Sequence, residues 1–126
     1  MRIVIPGAPI TKKNSQQILV NKKTGRPFIS PSKKYKEYKK HCADYLAGYT
    51  TPITFPVHVK CIYYLPNARK TDLTNLMEAT HDLLVHFGVL ADDDYTIIQS
   101  VDGSAVYIDR ENPRVEITIE KISQLS

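Results

Sequence analysis

Acidic residues gather at two places in the chain. Asp72 is followed by Asn75, Glu78 and Asp82 at steps of three and four, and Asp92, Asp93 and Asp94 stand together further on. Steps of three and four return to one side of an α-helix, so Asn75, Glu78 and Asp82 share a face. Carboxylates on such a face can hold magnesium, which takes one or two of them and completes an octahedral shell with water. A cation held in this way activates water and stabilises charge on both the attacking and the leaving oxygen of a phosphodiester. The acids before and after the helix can act together only if the fold brings its two ends into one site.

Plainer uses exist for the same residues. Asp72 can cap a helix, and acids near a helix start are favoured by its dipole. Asn75 and Glu78 can form a capping pair, and three aspartates in a turn can be a solvated loop. A calcium loop opening at Asp92-x-Asp94 is excluded: Ile97 stands where the turn glycine belongs and Gly103 where the last glutamate belongs. The four histidines, His41, His58, His81 and His86, show no zinc or catalytic spacing and are expected as surface or core polar groups. No glycine-rich phosphate loop is present. Cys42 and Cys61 are too few for a disulfide framework or a zinc site, and free thiols in a reducing cytosol are the simplest reading.

The cations are distributed differently from the acids. Residues 1–50 hold 11 Lys and Arg against Glu37 and Asp44, a balance of +9, while residues 51–126 hold 6 against 11 acids, a balance of −5; the whole chain carries +4. Such polarity can be no more than a solvated surface, or it can be a polyanion-binding front beside a metal-binding back. In the second case Lys12, Lys13, Lys22, Lys23 and Arg26 are the candidates for binding nucleic-acid phosphates, with Lys33, Lys34, Arg69 and Lys70 beside them.

The elements that must position these groups are legible in outline. Residues 2–5 read as a strand stopped by Pro6-Gly7. Gln17–Val20 and Pro27–Ile29 flank Asn21-Lys22-Lys23-Thr24-Gly25 as a hairpin with a basic tip. Ser32 caps a helix over about Lys33–Ala47, with Tyr35, Tyr38, Cys42, Tyr45 and Leu46 as its buried stripe. Val57–Leu65 is a strand rich in β-branched and aromatic residues. A second helix covers about Leu73–Phe87, with Leu76, Ala79, Thr80, Leu83 and Phe87 inward and Gly88 at its end. Tyr95–Gln99, Ala105–Ile108 and Arg114–Ile119 are further strands. The order implies one α+β domain over residues 1–126, a mixed sheet packed by two main helices. No membrane span and no signal peptide are expected.

The order of these motifs resembles the RusA family of Holliday junction resolvases. Ile5-Pro6-Gly7-Ala8-Pro9 with Lys12-Lys13 is similar to the family's opening strand and basic loop, and Pro31 with Tyr35 and Tyr38 to its first helix. Asp72-Leu73-Thr74-Asn75-Leu76, then Asp82, Gly88-Val89 and Asp92-Asp93, resembles its D-L-x-N helix and D-D turn. The resemblance implies a crossover junction endodeoxyribonuclease of recombination and repair. It would act as a homodimer on four-way or other branched DNA, with magnesium or manganese as cofactor. Asp72 and Asp93 match catalytic metal-binding aspartates. Asp92 and Glu78 are added here as candidate metal ligands, Glu78 also as a catalytic one. A cytoplasmic, phage- or prophage-borne protein is implied in the same way.

Two positions depart from the family. Thr74 stands where a second catalytic aspartate belongs, and Glu78 where a helix lysine belongs. Glu78, one turn beyond Thr74, can supply the missing oxygen, and the lysine's role can pass to Lys70 or Lys12. Thr74 also motivates a rival, a binder of branched DNA that has lost catalysis. A general RNA- or DNA-binding module accounts for the basic half but not for the acids. Phosphate-based binding predicts that affinity for DNA drops steeply as salt is raised. A nearly flat salt dependence in a fluorescence-anisotropy titration would count against these cations as the binding surface.

Overall fold

The computed structural model describes residues 1–12 and 16–122, with side chains at all of these except 16, 17 and 29–31. Seven strands and two helices follow the chain among the described residues: β1 Arg2–Pro6, β2 Gln16–Val20, β3 Pro27–Pro31, α1 Lys33–Leu46, β4 Val57–Leu65, α2 Leu73–His86, β5 Ile98–Ser100, β6 Ala105–Ile108 and β7 Arg114–Lys121. The α+β expectation holds. The main sheet runs β1-β7-β4, with β5 and β6 both pairing with the far side of β4. β7 is antiparallel to β1 and β4, whereas β5 and β6 are parallel to β4. Parallel neighbours require a crossover, and α2 is that crossover.

Alternation sets which way the sheet faces. Val57, Val59, Cys61, Tyr63 and Leu65 of β4 are buried, as are Val115, Ile117 and Ile119 of β7 and Ile3 and Ile5 of β1. Cys42 and Leu46 of α1 and Leu76, Leu83 and Leu84 of α2 close on the same side, in one core. The other side of the sheet is covered by its own long side chains. The Arg114 guanidinium lies 3.8 Å from the Tyr64 ring centroid and donates to Glu116 at 2.8 Å and Asp109 at 3.0 Å.

Three details differ from the sequence reading. The hairpin β2–β3 forms its own two-stranded sheet rather than joining the mixed one. Its apolar side chains Ile18, Val20 and Phe28 are therefore exposed. Tyr45 does not belong to the buried stripe of α1; it is exposed and sits 5.3 Å from the His41 ring. The strand expected from Tyr95 begins only at Ile98, because the preceding residues form a turn held by Asp94. Cys42 and Cys61 are free and buried. No helix is long and apolar enough to cross a membrane among the described residues.

The buried Tyr63 hydroxyl meets Thr80 Oγ1 at 2.7 Å, and Thr80 Oγ1 donates to the Leu76 carbonyl at 3.0 Å. Thr80→Val strands the tyrosine hydroxyl, for which the Cys61 thiol is only a weak substitute. Tyr63→Phe leaves Thr80 its carbonyl partner. Thr80→Val is therefore expected to cost about 1–3 kcal/mol in urea unfolding and Tyr63→Phe less; the reverse order would show that the hydroxyl pair does not tie α2 to β4.

Candidate functional site

The sequence after α2 reverses so that its acids return beside the helix. Gly88 adopts φ +78, a conformation that favours glycine, and Val89 and Leu90 amides donate to the Leu84 carbonyl. Val89 and Leu90 are buried at 1% exposure each, which fixes the direction in which the chain leaves the helix. Ile53 clamps the far side: its amide donates to Val89 O at 3.0 Å and its carbonyl accepts from Ala91 at 2.9 Å. The Val57 amide donates to Ile97 O at 2.8 Å. The turn 92–96 is thus suspended between two anchors on the strand side.

Within that turn the three aspartates have separate environments. Asp94 is used structurally: its carboxylate accepts from the Thr96 amide and hydroxyl, and its carbonyl from Ile97 and Ile98. Those bonds hold its pKa down. Asp92 Oδ1 accepts from the Asp93 amide at 2.7 Å. Asp93 is raised above the ordinary 3.8, first by desolvation, then by the Asp92 side chain and the charge of Asp82. Its field also reaches His81, whose pKa is lowered by burial against the opposing pull of Asp93 and Asp82. The His81 Nε2 is buried without a hydrogen-bond partner among the described residues.

Asp82 meets a cation from the other end of the chain. Lys12 Nζ lies 3.2 Å from Asp82 Oδ2 and 5.8 Å from the Tyr35 ring centroid. Burial and then Asp82 push the Tyr35 hydroxyl up to about 12. A pocket of about 360 Å³ joins these groups, lined by Lys12, Tyr35, Lys39, Asp82, His86 and Asp93 over Leu83 and Val85.

Asp72 is at the opposite end of α2, ten residues or about 15 Å along the axis from Asp82. It occupies the N-cap position, yet its side chain makes no capping bond; Oδ2 accepts from Asn75 Nδ2 at 3.4 Å instead. Its carboxylate is not consumed by the helix end. Glu78 is exposed on the face it shares with Asp82, about 6 Å before it. Asp72, Asn75, Glu78 and Asp82 therefore form a polar stripe down α2. Among the described residues, no three His, Cys, Asp or Glu side chains converge as a ready metal cage. The donors that the fold does bring into one electrostatic site are Asp82, Asp92 and Asp93. One or two carboxylates with water suit magnesium, so these residues fit a lightly held hard cation.

The stripe begins beside a second hollow. It measures about 600 Å³ and is lined by residues 8–11, Ser32, Lys34, residues 65–67 and Arg69, Lys70 and Thr71. Three of the nine expected phosphate contacts, Lys34, Arg69 and Lys70, thus surround one groove. Ser32 there caps α1, accepting from the Tyr35 amide at 3.2 Å. Lys22, Lys23 and Arg26 are exposed at the separate hairpin tip, and Lys33 is exposed, 3.9 Å from Glu37. Lys12 belongs to the acidic pocket, and Lys13 lies outside the described residues.

Sequence reasoning placed Asp82 on the acid face but not among the site residues, and it read His81 as a surface or core polar group and Tyr35 as part of a buried helix stripe. The available signal was the pair His81-Asp82 on the helix, but which return segment it would face is a tertiary matter.

A carboxylate turn folded against the end of a helix whose start adjoins a groove edged by lysine and arginine marks the site of this small α+β protein. Over residues 6–120 the sequence matches the model of the endodeoxyribonuclease RusA family. The match covers most of the chain, which therefore belongs to the RusA family. No curated protein matches it significantly.

The raised pKa of Asp93 means that its proton is lost later, as pH rises, than that of a solvated aspartate. Asp82→Asn removes one of the charges responsible and frees Lys12, both of which lower that pKa. The carboxyl ¹³C titration of Asp93 is expected to move to lower pH in this variant; an unmoved midpoint would show that the two acids do not share a field.

Proposed function

We propose that this RusA-family protein is a metal-dependent endonuclease that cleaves Holliday junctions and other branched DNA, as a homodimer, in recombination and repair. The observation that carries the reading is the placement of Asp93 beside Asp82 and Lys12 at one end of a polar helix stripe whose other end opens on Lys34, Arg69 and Lys70. Cations of the groove grip backbone phosphates and set the strand's register. The stripe then carries the strand past Asp72 and Glu78 towards the acids of the turn.

Asp82 and Asp93, with Asp92 beside them, would hold magnesium or manganese at the turn, and Glu78 and Asp72, about 6 and 15 Å further along the helix axis, would serve a cation only at a separate position on the stripe. Bound there, the cation supplies Lewis-acid stabilisation of the charge on the phosphate. Asp93 must give up its proton to take part, so activity rises with pH through its elevated pKa. Asp72, whose carboxylate accepts from Asn75 rather than capping the helix, would act on the strand at the groove end of the stripe. A two-fold dimer matches the two symmetric cuts that resolve a junction.

The second reading, a branched-DNA-binding protein without catalysis, is favoured by Thr74 and by the lack of three converging ligand side chains among the described residues. Both readings are separated by incubating a labelled synthetic four-way junction with the protein in magnesium and in manganese, beside a linear duplex. Paired nicks confined to the junction, absent with Asp72→Asn, are expected. Glu78→Gln is expected to abolish cleavage while junction binding survives; full cleavage by this variant removes Glu78 from the site. Tight binding without nicking in either metal supports the second reading.

A further inference from the structure

We propose that Tyr95 is a base-stacking residue that lets this site tell branched DNA from plain duplex. This rests on the branched-DNA reading above, with or without cleavage. As the first residue of a strand, Tyr95 would lie half-packed in a sheet. The strand begins only at Ile98, and the ring is left 81% exposed. It is the most exposed large apolar side chain among the described residues. Three other exposed rings have partners: Tyr45 lies 5.3 Å from His41, Tyr107 stacks at 5.8 Å on Tyr64, and Lys121 stands 4.9 Å above Phe55. A tyrosine in this position gives the fold no packing, and turns elsewhere favour small polar residues, glycine and proline.

The turn holds this ring out on a fixed backbone. The Asp94 carboxylate accepts from the Thr96 amide at 2.9 Å and from the Thr96 hydroxyl, and the Asp94 carbonyl accepts from Ile97 at 3.1 Å and Ile98 at 2.8 Å. All of these bonds close across Tyr95 and leave it at the apex. A ring so mounted loses only two side-chain torsions on contact, a small entropy cost for a large flat surface. Its position matters as much. Tyr95 is two residues from Asp93, at most about 7 Å along the backbone. That is roughly two base steps of about 3.4 Å. A phosphate at the acidic pocket therefore puts the bases of its neighbouring nucleotides within reach of the ring.

The cationic groove cannot make this distinction. Its lining includes Lys34, Arg69 and Lys70 but no aromatic ring, and phosphate contacts set position without reading the bases. Junction and duplex carry the same phosphates and differ in stacking. Each base pair inside a duplex is covered on both faces, whereas a pair at a crossing can lose a neighbour. A ring that enters a duplex must first unstack a step, and that cost falls where the stack is already broken. Because every base has a face on which a ring can stack, the resulting preference is for branching and not for sequence.

The test measures affinity for a labelled four-way junction and for a linear duplex by fluorescence anisotropy, in calcium at one fixed salt concentration, for wild type, Tyr95→Leu and Tyr95→Phe. Tyr95→Leu is expected to bind the junction about 10-fold more weakly, with duplex affinity and the urea unfolding midpoint unchanged. Tyr95→Phe should match wild type, because the ring face is kept. The chain has no tryptophan, so Tyr95→Trp supplies a single probe. Its fluorescence should be quenched by the junction and not by the duplex, while that of Tyr107→Trp, on the outer side of the sheet, should respond to neither. An unchanged preference for the junction in Tyr95→Leu overturns the proposal. So does an equal loss of affinity for both DNAs, a Tyr95→Phe protein as weak as Tyr95→Leu, or an unquenched Tyr95→Trp protein that still prefers the junction. A wild type with no preference for the junction overturns the branched-DNA reading and this proposal together.

Discussion

Everything at the acidic centre depends on how the chain leaves α2. Gly88 reverses it, and Val89 and Leu90 sink into the core, where Ile53 pairs with them across the entrance to β4. The reversal leaves the following turn no choice but to return along the last part of the helix. Asp93 arrives beside Asp82 and His81 for that reason. Burial of two apolar residues thus supplies the free energy that holds two like charges near one another, an arrangement that electrostatics alone opposes.

The same constraint sorts three adjacent aspartates. Asp94 is committed to its own turn through Thr96, and its low pKa reflects those bonds. Asp92 accepts the Asp93 amide and faces the neighbouring carboxyl. Asp93 is left partly desolvated beside Asp92 and in the field of Asp82, and those surroundings, rather than residue type, raise its pKa. Identical side chains acquire different chemistry from where the backbone bonds of one short loop happen to go.

A basic front and an acidic back are not two separate surfaces in the folded protein. The sheet places β1 next to β7, and the loop after β1 lies beside the start of α1 and the loop that precedes α2. Lys34 from the first part of the chain therefore joins Arg69 and Lys70 at the groove, and Lys12 enters the acidic pocket. Under the endonuclease reading, the groove cations would offset the repulsion between a polyanion and the acids.

The helices, most of the strands, the α+β class and the polar face of α2 were legible in the sequence, because hydrophobic period and stop signals act locally. Asn75, Glu78 and Asp82 had to share a face once that segment was helical. The approach of Asp82 to Asp93 was not legible, nor its pairing with Lys12. Each depends on a partner roughly 10 to 70 residues away, and local periodicity carries no information about such pairs. The separation of the hairpin from the main sheet was hidden too, since β2 and β3 pair locally whether or not a larger sheet accepts them. The sequence by itself determined which side chains are available and on which face of which element they stand. Only the tertiary structure decided which of them meet, because packing the core, not attraction between the charges, sets where the loops run.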